Sequence, residues 1–371
     1  MYNLFMVNII PIDEAQVDMI IARDIVSSQG QVLAKRGTVL DEQLWMHLQF
    51  YGIDQIAVEP EDVPSAPILL DILDNSENTK ESVVSGVRKK AIFKDFKQAY
   101  VNEVNNLKSS LSDFIKRREP MEKEALLKDT KELFAQVHDT SDIMMMLYNM
   151  RQIDDVTYAH SVNVSLVCRV IGTWLQYPEE DLDTLTLCGL LHDVGKSEIP
   201  MEIIKKPGPL TDDEFTVIQN HPVYGHKILK EQKVDKRVKL SALQHHERCN
   251  GRGYPYGLTI EELDSFSLIV AIADVYDAMT ANRCYRDGLC PFDVIASMED
   301  MGEGFHPYFL KVFLQNTASA YLGADAELTT GDTGRVHEIN PDNVAYPKIQ
   351  LENGDIIDLS ENKNIFIEKI F

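Results

Sequence analysis

The sequence predicts a mainly α chain with a small β-containing module at its N-terminus and a short antiparallel β appendage at its C-terminus. Three observations carry this. Apolar residues recur at helical spacing through the middle of the chain. β-prone segments separated by turn residues occupy the first sixty positions, and two-residue alternation returns only after Thr330.

In chain order, residues 17–25, 32–34 and 56–58 are β-prone, with turns at Ser28-Gln29-Gly30 and Arg36-Gly37. Residues 40–50 read as a short helix with Asp41 near its cap, and the Pro/Asp/Glu stretch 59–67 makes a natural boundary. Between 81 and 118, Val84, Val87, Phe93, Phe96, Tyr100, Val104, Leu107, Leu111 and Phe114 form the stripe of an amphipathic helix, which packs on its own domain or on a second subunit. Residues 122–150 continue as helix, and the Ile143-Met-Met-Met-Leu147 patch reads as core. Helical segments fill 150–320, broken at Tyr177-Pro178, 206–209, 250–257 and 287–291. Alternation at 334–339 and 348–351, a turn at 352–355 and strands at 355–359 and 365–370 build the appendage. The expected divisions are 1–62, the N-terminal module; 63–150, linker and amphipathic helices; 151–325, the helical domain; and 326–371, the appendage.

Composition bounds the function. With 371 residues, 44% hydrophobic and 26% charged, the chain is an ordinary globular mixture. No apolar run approaches the roughly 18 residues of a membrane span, and residues 1–10 lack the features of a secretory signal. Lys plus Arg number 36 against 59 Asp plus Glu, a net charge of -23 that disfavours long nucleic acid. A small anionic substrate stays compatible if metal ions or a few basic side chains reverse the field locally. The 5 cysteines form no CxxC pair and read as reduced thiols of a cytoplasmic protein.

The chemistry concentrates in the helical domain. His160, His192-Asp193, His221, His245-His246 and Asp274 all sit beside apolar residues, so they project from buried helices. A buried carboxylate is costly unless paired or bound to a cation. Five histidines and two aspartates in such positions point to metal, and mixed imidazole and carboxylate ligation suits Fe, Mn or Zn rather than Ca. Adjacent His192 and Asp193 lie about 100° apart on a helix, but a carboxylate has two oxygens. Asp193 can therefore link one ion held by His160, His192 and Asp274 to another held by His221, His245 and His246. Two such ions would clamp a phosphodiester and generate hydroxide as the nucleophile.

His192-Asp193 with Gly195-Lys196, followed by His245-His246-Glu-Arg-Cys-Asn-Gly-Arg-Gly253-Tyr254-Pro255, resembles the HD-GYP subgroup of the HD phosphohydrolase superfamily. Either dipeptide alone says little; the ordered set covers nearly half the chain. The resemblance implies an HD-type bundle of about seven helices and a metal-dependent phosphodiesterase that opens cyclic di-GMP to linear pGpG, with GMP as a later product. It assigns the same seven ligands (His160, His192, Asp193, His221, His245, His246 and Asp274), holding two divalent ions, Fe or Mn, with Zn also accepted. Asp193 and Lys196 become the catalytic pair. Lys196, Arg283, Arg286, Asp277 and Tyr254 are expected at the substrate, and the Gly253-Tyr254-Pro255 loop is expected to meet diguanylate cyclase domains. Some members hold a third metal with a glutamate four residues before the first histidine. Here that position is Val156, and neighbouring Asp155 lies about 140° round the helix, off the ligand face, so two ions are expected. Glu247 and Arg248 read as members of structural ion pairs. Another cyclic dinucleotide such as cyclic GMP-AMP, or a module that binds nucleotide without turnover, are the competing readings. Homodimerisation is left open.

Overall fold

The computed structural model describes residues 8–12, 19, 21–23, 25–26, 32–35, 38, 40, 48, 53, 55–58, 81–117, 121–137, 139–150, 156–206, 210–281, 288–362 and 364–371. The chain divides into two compact units, Met1–Ser85 and Gly86–Phe371.

In the first unit, β1 (Asn8–Pro11) pairs antiparallel with β4 (Gln55–Val58), and β2 (Ile25–Val26) with β3 (Val32–Ala34). Ile21, Leu40, Leu48, Ile56 and Val58 form its core. Strand β1 had no counterpart in the sequence reading. Within the expected strand 17–25, the described residues show only Ile21 bridged to Val58 and the start of β2. The expected helix 40–50, apart from Leu40 and Leu48, and the boundary stretch 59–67 lie outside the described residues.

The second unit is built on helices. α1 (Glu81–Arg117) presents Phe96, Tyr100, Val104, Leu107, Leu111 and Phe114, all buried in this unit's core, so the stripe packs on its own domain. α2 (Lys123–Ala135) and α3 (Thr140–Asn149) join the same core; Met144 and Met146 are buried, so the methionine patch is packing. α4 (Val156–Trp174) and α5 (Glu179–Leu191) then lie in close contact, because Gly189 leaves no side chain between them: a Cβ there would stand 2.5 Å from Ser165 Cα. After a 3-10 turn (Val194–Glu198) come the short α6 (Met201–Ile204) and α7 (Asp212–Ile218), then α8 (His221–Lys230) and α9 (Lys236–Gln244). α10 (Ser265–Thr280) is the central helix. It is capped by Asp264, which accepts from Phe266 N–H at 3.0 Å, and residues 266–274 are buried without interruption. α11 (Pro291–Asp300) and α12 (Pro307–Ala320) complete the helical part.

The C-terminal strands form one antiparallel sheet in the order β8-β7-β6-β5-β9, from β5 (Asp325–Leu328), β6 (Thr333–Glu338), β7 (Lys348–Leu351), β8 (Ile356–Asp358) and β9 (Ile367–Ile370). Ala326, Leu328, Val336, Ile349 and Ile367 face inward and share the helical core, while Asp325 and Glu327 alternate outward. Among the described residues no helix is long and apolar enough to cross a membrane.

Candidate metal centre

Five helix ends and faces deliver the acidic and imidazole groups to one place. His160 comes from the first turns of α4, His192 and Asp193 from the end of α5, His221 from the start of α8, His245 and His246 from the end of α9, and Asp274 from the middle of α10. Their donor atoms gather in two sets, His160 with His192 and Asp274, and Asp193 with His221, His245 and His246. All are buried except His246, which is half-buried. Gly195 lets the 3-10 turn approach α8, since a Cβ would stand 2.0 Å from the His221 carbonyl oxygen.

Three imidazoles are oriented by their own backbone. His192 Nδ1 lies 2.7 Å from the Gly189 carbonyl, His221 Nδ1 2.7 Å from that of Ile218, and His245 Nδ1 3.0 Å from that of Ser241. A carbonyl only accepts, so each Nδ1 carries a proton, and in the neutral ring Nε2 is then the atom left with a lone pair. Burial holds His245 down at about 4 against the opposing pull of Asp193, and holds His246 well below its usual value, so both are neutral at pH 7. His160 differs. Its Nδ1 meets Asp277 Oδ2 at 2.6 Å and its Nε2 meets Asp274 Oδ1 at 3.0 Å. Burial works against its charge, but the two carboxylates outweigh that and raise it to about 10.

The carboxylates span the two sets. Asp193 Oδ1 is 3.3 Å from His221 Nε2 and 3.7 Å from His245 Nε2, while its Oδ2 is 3.4 Å from His192 Nε2 and 3.7 Å from His160 Nε2. Asp274 Oδ1 faces His160, and its Oδ2 is 3.7 Å from His246 Nδ1. Burial pushes Asp193 up, but Lys196 and the neighbouring imidazoles prevail and hold it well below the ordinary carboxylate range.

This donor set fits divalent cations. Among the described residues, His192 Nε2 and Asp193 Oδ1 are buried without a hydrogen-bond partner, which folded proteins rarely tolerate. His221 Nε2 and His245 Nε2 stand 3.1 Å apart. With both protons on Nδ1, two lone pairs face each other, an arrangement that a shared cation relieves. The spacing is what two nitrogens at roughly 2.0–2.1 Å from one ion require.

Around the cluster, Lys196 donates to Asp193 Oδ2 and is partly exposed. The Tyr254 ring stacks on His246 with centroids 4.6 Å apart, placing the tyrosine against the second set. Its loop is closed by Glu247, which accepts from Tyr256 N–H at 2.7 Å and Leu258 N–H at 3.0 Å, and by Gly253, where a Cβ would stand 2.4 Å from Glu247 Cα. Glu247 thus serves as a loop anchor, and Arg248 lies over the Phe305 ring and donates to backbone carbonyls. Asp277, expected at the substrate, sits behind His160, on the side of Nδ1. Sequence reading missed its partner Asn163, which donates to Asp277 Oδ1 at 2.8 Å; its place three residues after His160 on one helix face was the available signal. Asp155, Arg283 and Arg286 lie outside the described residues, and Val156 begins α4.

A helical bundle carrying histidines and aspartates in this order is that of the HD domain, whose family model matches residues 124–306. Over that segment, just under half of its length, the chain carries an HD domain, and its relatives support the resemblance to the HD-GYP group. It is 27% identical over 91% of its length to the cyclic di-GMP phosphodiesterase PA4108 of Pseudomonas aeruginosa, covering 76% of that protein. It is 31% identical to a cyclic di-GMP phosphodiesterase of Thermotoga maritima, over 58% of this chain and 61% of that one. It is 36% identical to 3'3'-cGAMP-specific phosphodiesterase 1 of Vibrio cholerae, over 44% of this chain and 39% of that one. The chain therefore spans less than two thirds of the length of the last two relatives.

Proposed function

We propose that the chain is a metal-dependent phosphodiesterase that opens cyclic di-GMP to linear pGpG at a dinuclear centre. The observation that carries this reading is the pair of buried, unpartnered atoms, His192 Nε2 and Asp193 Oδ1, at the meeting point of two ligand sets. His160, His192 and Asp274 would hold one ion, His221, His245 and His246 the other, with one oxygen of Asp193 turned to each. Two divalent cations so placed supply Lewis acidity toward a phosphodiester and make water nucleophilic at neutral pH.

The chain's own groups do the rest. Asp193, held ionised by Lys196, fixes the spacing of the two ligand sets. Lys196, at the rim, offers positive charge to a phosphate in a protein whose overall charge repels one. Tyr254 covers the exposed side of His246 and walls the pocket there. Arg283 and Arg286, which follow α10 in sequence, are proposed to grip phosphate oxygens.

The test is product formation. Protein purified without oxygen and loaded with Mn or Fe should convert cyclic di-GMP to the linear dinucleotide, and chelated protein should not. The same assay with 3'3'-cGAMP addresses the second reading, favoured by the Vibrio cholerae relatives. Faster turnover of the mixed dinucleotide would replace the substrate proposed here, and no turnover of either would sink the enzyme reading.

A further inference from the structure

Where His192, His221 and His245 have Nδ1 on a carbonyl of their own helix, His160 Nδ1 is hydrogen-bonded to a side chain, that of Asp277. Behind it the hydrogen bonds run in one direction. Tyr100 Oη donates to Asn163 Oδ1 at 2.5 Å, Asn163 Nδ2 donates to Asp277 Oδ1 at 2.8 Å, and Asp277 Oδ2 accepts from His160 Nδ1 at 2.6 Å. The order admits no reversal. Turning the Asn163 amide over would set its oxygen against a carboxylate, acceptor against acceptor. Burial and the nearby charge of Asp277 keep the Tyr100 phenol protonated, so it stays a donor. Tyr100 is 1% exposed and belongs to α1, outside the segment 124–306 that matches the HD-domain model.

We infer that Tyr100 and Asn163 are positioning residues for the metal ligand His160, so that occupancy of the His160, His192 and Asp274 set depends on α1 being seated against α4. The inference rests on the metal-binding reading above. Tyr100 fixes the amide, the amide fixes the carboxylate, and the carboxylate holds the ring with Nε2 toward Asp274. Such outer partners of a ligating histidine commonly change metal affinity 10–100-fold when removed.

The experiment titrates the full-length, metal-free chain with Mn2+, counting free ion by electron paramagnetic resonance. Wild type should hold two ions per chain. Tyr100→Phe, which removes one oxygen and keeps the ring, should weaken one of the two about ten-fold and leave the other unchanged. Asn163→Ala should weaken the same ion at least as much, and adding Tyr100→Phe to it should cost nothing further, the signature of two groups acting in series. Leu111→Ala, which disturbs the same helix three turns beyond Tyr100, should lower thermal stability and leave both affinities unchanged. Equal Mn2+ affinities in Tyr100→Phe and wild type would overturn the inference and leave the metal-binding reading intact. So would a Tyr100→Phe loss of the same size with and without Asn163→Ala. A wild-type chain that holds no ion would overturn both.

Discussion

Asp193 is the residue on which the proposed centre depends, because its Oδ1 faces His221 and His245 while its Oδ2 faces His192 and His160. Asp193→Ala should abolish metal loading and turnover together; metal analysis beside a product assay checks this, and a variant that kept both would remove the assignment. Lys196 makes a different prediction. It is partly exposed and pairs with the Asp193 carboxylate, so Lys196→Ala should keep both proposed ions and lower kcat by about 10²–10³-fold, the usual cost of losing one charge stabiliser. If it also lost metal, its role would be to hold Asp193. The clustering of these histidines and aspartates was legible because metal-binding types on apolar helices are costly without a cation. The hydrogen-bond chain behind His160 was not. Asp274 and Asp277 share a helix face, and only the crossing of α10 with α4 decides that one meets Nε2 and the other Nδ1.

At the scale of elements, two close approaches build the centre and one buried acid burdens α1. A methyl group on Gly195 would enter the His221 carbonyl, so Gly195→Ala must push α8 away from the end of α5. It should cost about 2–4 kcal/mol in denaturant unfolding and weaken the ion bound by His221, His245 and His246; unchanged Mn2+ binding would show that the turn is more pliant than this contact implies. Glu103 on α1 is 3% exposed and accepts only from Thr130 Oγ1 of α2, at 2.6 Å, among the hydrogen bonds seen there. Burial raises it from 4.5 to about 7, although Thr130 pulls the other way. Between those values the folded chain keeps a proton that the unfolded chain has released, so this residue's contribution to stability falls as pH rises. Glu103→Gln should therefore abolish that loss. Relative to wild type it should gain on the order of 3 kcal/mol by pH 8 and little at pH 4, read from urea midpoints across the range. A constant difference between the two proteins across that range would rule the account out. The stripe on α1 was legible as a helix from its spacing, whereas the partner of its one buried acid depended on where α2 packs.

For the whole molecule, helical centre and β ends were both visible in the periodicity. The C-terminal strands read as an appendage because alternation marks a half-buried sheet; that their inner face closes the helical core follows from packing alone, and Asp325–Leu328 escaped notice because it is short and half acidic. All seven ligand residues belong to the unit Gly86–Phe371, and they reach the centre from helices separated by more than a hundred positions. In the metal-free state those helices must be held together against facing lone pairs and orphaned polar atoms by the surrounding core and by contacts such as those of His160 with Asp274 and Asp277. Divalent ions that bind the folded cluster and not the scattered ligands of the unfolded chain add RT ln(1 + [L]/Kd), about 2.7 kcal/mol per site at a hundred times Kd. At roughly 1.5–2 °C per kcal/mol for a unit the size of Gly86–Phe371, two saturated sites should raise Tm by about 8–11 °C over chelated protein. Differential scanning fluorimetry in EDTA, then in excess Mn2+, measures the shift, and Asp193→Ala provides the control in which it should vanish. Equal melting temperatures with and without the ion would mean that the seven groups are arranged around something other than a cation.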